Sequence, residues 1–353
     1  MTELHLWLRH ETRTTERRTP IVPSDARRLV ENGVTVTVER SQQRIFPVEA
    51  YEAAGCRVVE PYSWTVAPLD AVVVGLKELP EEPGELRHRH VFFGHAYKGQ
   101  PGAEALLRRF VAGGGALFDL EYLVDDNGRR LAAFGYWAGY VGAALAVLHH
   151  RGRLTAPLRP TSKGELDAEL QPRPDDAQFS SLVIGALGRS GRGAQVALME
   201  AGLDPTCWDL AETRDLDRQA LLDHELMVNC VLSTGPVTPF LTDKDLAEPR
   251  RGLRTVCDVT CDVGSPYNVL PVYDTVTDWT DPVRRLHGRP ALDLIAIDNL
   301  PSLLPEEAST DFSALLTPQL SEFGVAGAWG RCLDRFHETC RELGLGDGES
   351  NHA

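Results

Sequence analysis

Two strand-like runs in the first third of the chain end in basic side chains. Lys77 follows Val72-Val73-Val74-Gly75-Leu76, and His95 and Lys98 follow Val91-Phe92-Phe93-Gly94. A lysine and a histidine held at strand ends are candidates for chemistry, because strand ends in an open α/β sheet converge on a ligand crevice. Taken singly, each has a plainer reading, a solvated lysine or a structural histidine. Two such ends together point to chemistry. Arg18, in Glu16-Arg17-Arg18-Thr19-Pro20, and Arg130, in Gly128-Arg129-Arg130, are forks that can clamp carboxylates bidentately, with surface solvation an equal alternative.

A second pattern carries phosphate rather than proton chemistry. Ser181-Leu182-Val183-Ile184 is a buried-strand run, Gly185-Ala186-Leu187-Gly188-Arg189-Ser190-Gly191 is a glycine turn, and Ala194, Ala197 and Leu198 behind it share a helical face. Gly185, Gly188 and Gly191 permit a tight turn and close approach of backbone N–H groups to a pyrophosphate at a helix N-terminus. The spacing G-x-x-G-x-x-G is not the commoner G-x-G-x-x-G, and an ordinary strand-to-helix loop would look similar. Beyond it a short segment ends in Trp208-Asp209, where a dinucleotide fold places the acid that binds an adenosine ribose. Asp209 therefore argues for NAD over NADP, whose extra phosphate it would repel.

The elements that must hold these residues alternate. In residues 1–130, strand-like and helix-like segments run Leu4–Leu8, Ala26–Glu31, Val34–Glu39, Val48–Ala54, Ala71–Val74, His90–Phe93, Ala103–Val111 and Ala116–Leu120. This is α/β alternation, implying mostly parallel sheets with helices on both faces. Phe134 to Leu148 reads as a Gly- and Ala-rich helix connecting two domains, and Arg151 to Ala177 as a polar surface excursion. Glu225–Val231, Arg254–Val259 and Leu292–Ile297 look like further buried strands, and Glu306 to Gly344 like helices packing back on the first domain. The expected division is residues 1–133 with 306–353 as a substrate domain, and 134–305 as a nucleotide domain.

Bulk properties narrow the partners. A length of 353 residues exceeds what one core usually serves, and a net charge of -15 would repel nucleic acid and anionic lipid, so neither is an expected partner. The start Met1-Thr2-Glu3-Leu4-His5 does not read as a secretory leader, and a cytoplasmic protein is expected. The 7 cysteines form no C-x-x-C pair and no zinc set with nearby histidines, so free thiols and no metal are expected.

These residues carry a resemblance. Arg9-x-Glu11-Thr12, Glu16-x-Arg18, Gly75-Leu76-Lys77-Glu78, His95-x-Tyr97-Lys98-x-Gln100, Asp119-Leu120-Glu121, Gly128-Arg129-Arg130 and Phe134-Gly135 resemble NAD-dependent, lysine-forming saccharopine dehydrogenases. The glycine turn, Trp208-Asp209, Asn229-Cys230, Leu253-Arg254-Thr255-Val256 and Ile297-Asp298-Asn299-Leu300-Pro301-Ser302-Leu303-Leu304-Pro305 continue it in order over nearly the whole chain. The Glu16-Arg17-Arg18 start is shared with alanine dehydrogenase and the nicotinamide transhydrogenases, which are similar in fold.

The resemblance implies two Rossmann-like domains with the active site in the cleft between them. The implied reaction is NAD-dependent oxidation of the secondary amine of saccharopine, then hydrolysis to lysine and 2-oxoglutarate, or the reverse condensation. By the same resemblance Lys77 is the proton acceptor and His95 the acid–base group of hydrolysis. A lysine base needs a lowered pKa, which Lys98 would favour and Glu78 or Glu121 oppose. Arg18, Lys98, Gln100, Arg130, Phe134 and Thr260 match substrate contacts. Gly185, Gly188, Arg189, Gly191, Asp209, Thr213, Val259, Ile297, Asp298, Asn299 and Leu300 match cofactor contacts. Three positions depart from the family: Ser190 replaces a cysteine of the fungal members, Leu232 stands near an expected tyrosine, and Thr260-Cys261 replaces a Ser-Ala pair. The last touches substrate identity more than reaction type. Another lysine-derived opine, an alanine dehydrogenase-like reaction, or a noncatalytic NAD sensor are the alternatives.

Overall fold

Short apolar runs pair into two sheets in the computed structural model, which describes residues 4–324 and 326–346. The chain divides into one unit formed by Met1–Ala133 with Ala308–Ala353, and a second formed by Phe134–Glu307.

In the first unit, β1 (His5–Leu8), β2 (Thr35–Glu39), β3 (Arg57–Val59), β4 (Val72–Val74), β5 (Arg89–Phe92) and β6 (Ala116–Asp119) form one sheet. Its order is β3-β2-β1-β4-β5-β6, and every neighbouring pair is parallel. The order reverses between β1 and β4, so the segments after those two strands border the switch point where such sheets bind ligands. Helices α1 (Pro23–Glu31), α2 (Val48–Ala53) and α3 (Ala103–Gly113) are the crossovers. Proline at the start of α1 costs no hydrogen bond there, and Ala26 and Leu29 turn inward. Two C-terminal segments complete this unit. Ser309 and Ser313 accept the Thr19 and Val22 N–H groups, each at 3.0 Å, and Ser313 donates to Asp25 at 2.6 Å. The helix Gly327–Glu342 buries Trp329, Cys332, Phe336 and Cys340 beside β6.

The second unit holds α4 (Gly135–His150), α5 (Lys163–Leu170), β7 (Ser181–Ile184), α6 (Arg189–Glu200), β8 (Thr206–Trp208), β9 (Leu226–Asn229), β10 (Thr255–Asp258), β11 (Arg284–His287) and β12 (Leu292–Ile295). The sheet order is β11-β12-β10-β9-β7-β8, with β11 antiparallel and the remaining neighbours parallel. Its switch point lies between β7 and β9.

Three local expectations change. The helix from Gly135, expected as a connecting helix, also forms part of the core of the second unit. Its residues Gly139 to Leu148 are all buried, and it lies wholly inside the second unit, the usual fate of a helix apolar on every side. It packs on α6 through glycine: a Cβ on Gly139 would lie 1.7 Å from the Ser190 carbonyl oxygen, and one on Gly193 1.9 Å from that of Tyr136. The polar stretch Arg151 to Ala177 contains α5, which starts at a Ser162/Glu165 capping box and buries Leu166 and Leu170. The antiparallel edge β11 was absent from the expectation, its Arg-Arg-Leu-His sequence offering no apolar alternation.

Candidate active site

The carboxyl ends of β4, β5 and β6 bring Lys77, His95 and Glu121 into one electrostatic neighbourhood. His95 Nδ1 and Lys98 Nζ each lie 3.7 Å from a Glu121 carboxylate oxygen. Glu121 raises His95 above the ordinary histidine value, against burial and the Lys77 charge, which lower it. In return His95 holds Glu121 down to about 2, with burial opposing and Lys98 and Arg130 adding to the effect. The Lys77 ammonium also acts on Glu16 and Glu78. Lysine, histidine and flanking acids thus share a single charge balance. Glu78 in turn pairs with Arg13 at 2.9 Å.

Local structure accounts for this placement. Asp119, at the end of β6 and fully buried, accepts the Glu121 N–H at 2.9 Å and so caps the short 3-10 turn Leu120–Tyr122. Its second oxygen faces Gly94, where a Cβ would lie 3.3 Å away. Burial pushes the Asp119 carboxyl up to about 6. His95 has φ 49°, in the left-handed region, which turns the chain sharply after β5.

The expected substrate contacts fall in different settings. Arg18 is 3% exposed and gives Nε and Nη2 to Glu16 at 2.8 and 2.7 Å. Burial alone would raise Glu16, but Arg18 outweighs it and the net value is lowered. A buried carboxylate thus orients this fork, which the Glu16-x-Arg18 spacing foreshadows. Lys98 N–H donates to Gln100 Oε1 at 2.8 Å, bending that loop on itself. Arg130 is exposed near Glu121. Phe134 and Thr260 belong to the second unit.

In that unit the glycine turn follows β7. Gly185 has φ 83°, and Gly188 is the N-cap of α6 with no side-chain cap, which leaves first-turn amides for an anion. A Cβ on Gly191 would lie 2.1 Å from the Gly185 carbonyl oxygen, so glycine alone allows this helix to start so close to its strand. Arg189 is the first helical residue and exposed. Asp209 follows β8; its oxygens accept the Leu187 and Leu210 N–H groups, each at 2.9 Å, and Thr213 donates to its carbonyl at 2.8 Å. These bonds tie the acid to the glycine turn. The turn, the uncapped helix and the tethered acid suit the pyrophosphate and ribose of a dinucleotide.

Val259, Thr260 and Cys261 follow β10, while Ile297, Asp298, Asn299 and Leu300 follow β12. The centre of this region is Asp258, which the sequence marks as a polar strand ending without naming its partners. Fully buried, it accepts from Asn229 Nδ2 at 2.9 Å, Thr260 Oγ1 at 2.7 Å and Tyr273 OH at 2.7 Å. The Thr260 hydroxyl proton is therefore committed to Asp258, so toward a ligand this hydroxyl can only accept. An acid closing the apolar run Val256-Cys257 was the available signal. Cys261 has φ 50°, and all seven cysteines are free. Among the described residues no group of histidine, cysteine and acid residues suits a metal.

Residues 7–141 match the family model described as alanine dehydrogenase/PNT, N-terminal domain. Saccharopine dehydrogenase [NAD(+), L-lysine-forming] of Neurospora crassa is 40% identical over 96% of this chain and 97% of its own. The protein of the same name from Emericella nidulans is 40% identical over 96% of this chain and 98% of its own. The chain belongs to the saccharopine dehydrogenase family. A solved L-alanine dehydrogenase structure has a TM-score of 0.71 over 96% of this chain and 100% of its own at 17% identity, a likeness of fold. The similarity to the saccharopine dehydrogenases extends over 96% of the chain and so covers both units.

Proposed function

We propose that this enzyme oxidises the secondary amine of saccharopine with NAD and water, releasing L-lysine and 2-oxoglutarate, and catalyses the reverse condensation. The observation that carries the reading is Lys77, His95 and Glu121 in one charge-coupled group at strand ends, in a chain 40% identical over 96% of its length to a lysine-forming saccharopine dehydrogenase. Bound NAD supplies a hydride acceptor for the glutamyl Cα. Gly185, Gly188, Arg189 and Gly191 would hold its pyrophosphate, Asp209 and Thr213 its adenosine ribose, and Val259 with Ile297 to Leu300 the remainder.

Lys77 takes the proton from the amine nitrogen as Cα gives up hydride, leaving a C=N bond in the substrate. His95, charged more readily because of Glu121, protonates and deprotonates the nitrogen and the attacking water during hydrolysis. Arg18, Lys98, Gln100 and Arg130 receive substrate carboxylates, with Phe134 and Thr260 completing the contacts. Asp209 favours NAD over the phosphorylated cofactor by charge.

The expected partners are amino and oxo acids, not nucleic acid or membrane, and no helix among the described residues is long and apolar enough to cross a bilayer. Seven free thiols suit a reducing compartment, and we assign the enzyme to the cytoplasm. NADH formation with saccharopine, measured against alanine and a panel of lysine conjugates, tests the reading. Turnover with alanine or another conjugate but not saccharopine would overturn it.

A further inference from the structure

The segment directly after β1 carries charged groups that the proposed chemistry leaves unused. Arg9 is 1% exposed and Glu11 5%, and they pair at 3.2 Å. Burying an ion pair rarely adds net stability, so its hydrogen bonds show what it is arranged to hold. Glu11 accepts the Leu76 N–H at 2.7 Å and the Lys77 N–H at 3.0 Å. Arg9 Nη2 donates to the Lys77 carbonyl oxygen. Both peptide groups flanking the Lys77 side chain are therefore gripped, one by the anion and one by the cation.

The neighbouring sequence is built around this grip. The Arg9 N–H donates to the Val74 carbonyl at 3.0 Å, extending the β1–β4 ladder past the end of β1. A Cβ on Gly75 would lie 2.3 Å from Arg9 Nε, so glycine at that position is what lets the guanidinium pass. Arg9 Nε is buried without a hydrogen-bond acceptor. Arg44 in turn holds the Arg9 carbonyl at 3.1 Å.

We propose that the buried Arg9–Glu11 pair is the positioning device for Lys77, fixing the backbone from which its amine reaches the substrate. This rests on the assignment of Lys77 as the proton acceptor. The pair is also electrically balanced at the base of that side chain, whose charge acts on Glu16, Glu78 and His95. Removing one member shifts the lysine in a direction set by the charge left behind. Glu11→Gln leaves a cation and favours the neutral amine. Arg9→Met leaves an anion and favours the ammonium.

The test uses the full chain with saccharopine and NAD. Glu11→Gln and Arg9→Met should each lower kcat by about tenfold or more, the scale of a small misplacement of a reacting group. KM for saccharopine and the Kd for NAD should stay close to wild type. The pH-rate limb that Lys77→Met abolishes should move down in Glu11→Gln and up in Arg9→Met. Opposite shifts are a readout that general loosening of the fold does not produce. The charge-balanced Arg9→Met/Glu11→Gln variant covers the case in which a single variant fails to fold; it should keep the limb near its wild-type position at reduced kcat. Wild-type kcat and pH profile in variants that fold, alongside an inactive Lys77→Met, would overturn the positioning role alone. An active Lys77→Met would instead overturn the assignment of Lys77, and the positioning role with it.

Discussion

The two units solve the same topological problem with opposite materials. At the carboxyl ends of the first sheet the groups are charged side chains braced by other charged side chains: Glu16 on Arg18, Arg9 and Glu11 on the Lys77 backbone, Glu121 on His95. At the switch point of the second the contacts come from backbone amides exposed by glycine, with Asp209 pinned to the same turn. Charged braces make a site specific and sensitive to pH. Glycine and amide make one that depends on packing distances and little on titration. Damage to the first unit should therefore appear in kcat and its pH dependence, and damage to the second in nucleotide affinity and stability.

The largest effect that separates the two is turnover. Lys77→Met and His95→Asn should each lower kcat by about 10² or more while NAD binding, followed by fluorescence titration, changes little. Losses that appear only as weaker NAD binding would break the division. On the second unit, Gly139→Ala forces a Cβ into the Ser190 carbonyl and should destabilise by about 1–3 kcal/mol in urea unfolding, weakening NAD binding because α6 moves. An unchanged midpoint would mean that the α4–α6 contact relaxes freely. Asp209→Ala should cost about tenfold in NAD affinity and narrow the preference over NADP. Equal kcat/KM for both cofactors in the unaltered enzyme would remove the role of that acid.

A smaller effect concerns Asp119, whose carboxyl burial pushes up to about 6 from the ordinary value of 3.8. The native state binds this proton more tightly than the unfolded chain, so the stability it contributes is fully present at low pH and is lost as pH rises through about 6. Asp119→Asn should therefore raise Tm by about 2–4 °C more at pH values above that range than below it. A uniform change in Tm across pH would show that burial is not what governs this group. Smallest of all, Glu121→Gln should move the His95 limb of the pH-rate profile to lower pH, since Glu121 is the leading cause of the raised value. A stationary limb would detach His95 from that acid.

The strands and the glycine turn were legible because their signals are local: apolar runs four or so residues long, and glycines where a Cβ would strike the preceding carbonyl. The helix Gly135–His150 was legible as a helix but not as a core, because its small residues pack on α6, and sequence periodicity does not register a partner. The capping box at Ser162 could have revealed α5, had polarity not been taken as the stronger signal. The bonding of Asp258 and of the Arg9–Glu11 pair was out of reach for a different reason. Each is named by groups distant in sequence, Tyr273 and Asn229 for one and the Lys77 backbone for the other.

The left-handed backbone at His95 makes that position a narrow gate for mutational drift. At φ 49° glycine, asparagine and aspartate are admitted at low cost, while glutamine or a β-branched residue is penalised by the main chain before its chemistry matters. Asparagine keeps the bend and deletes the imidazole. Under the role proposed for His95, a lineage that abandoned the hydrolytic half-reaction would pass most cheaply through asparagine, keeping the local backbone of the first unit without the second step.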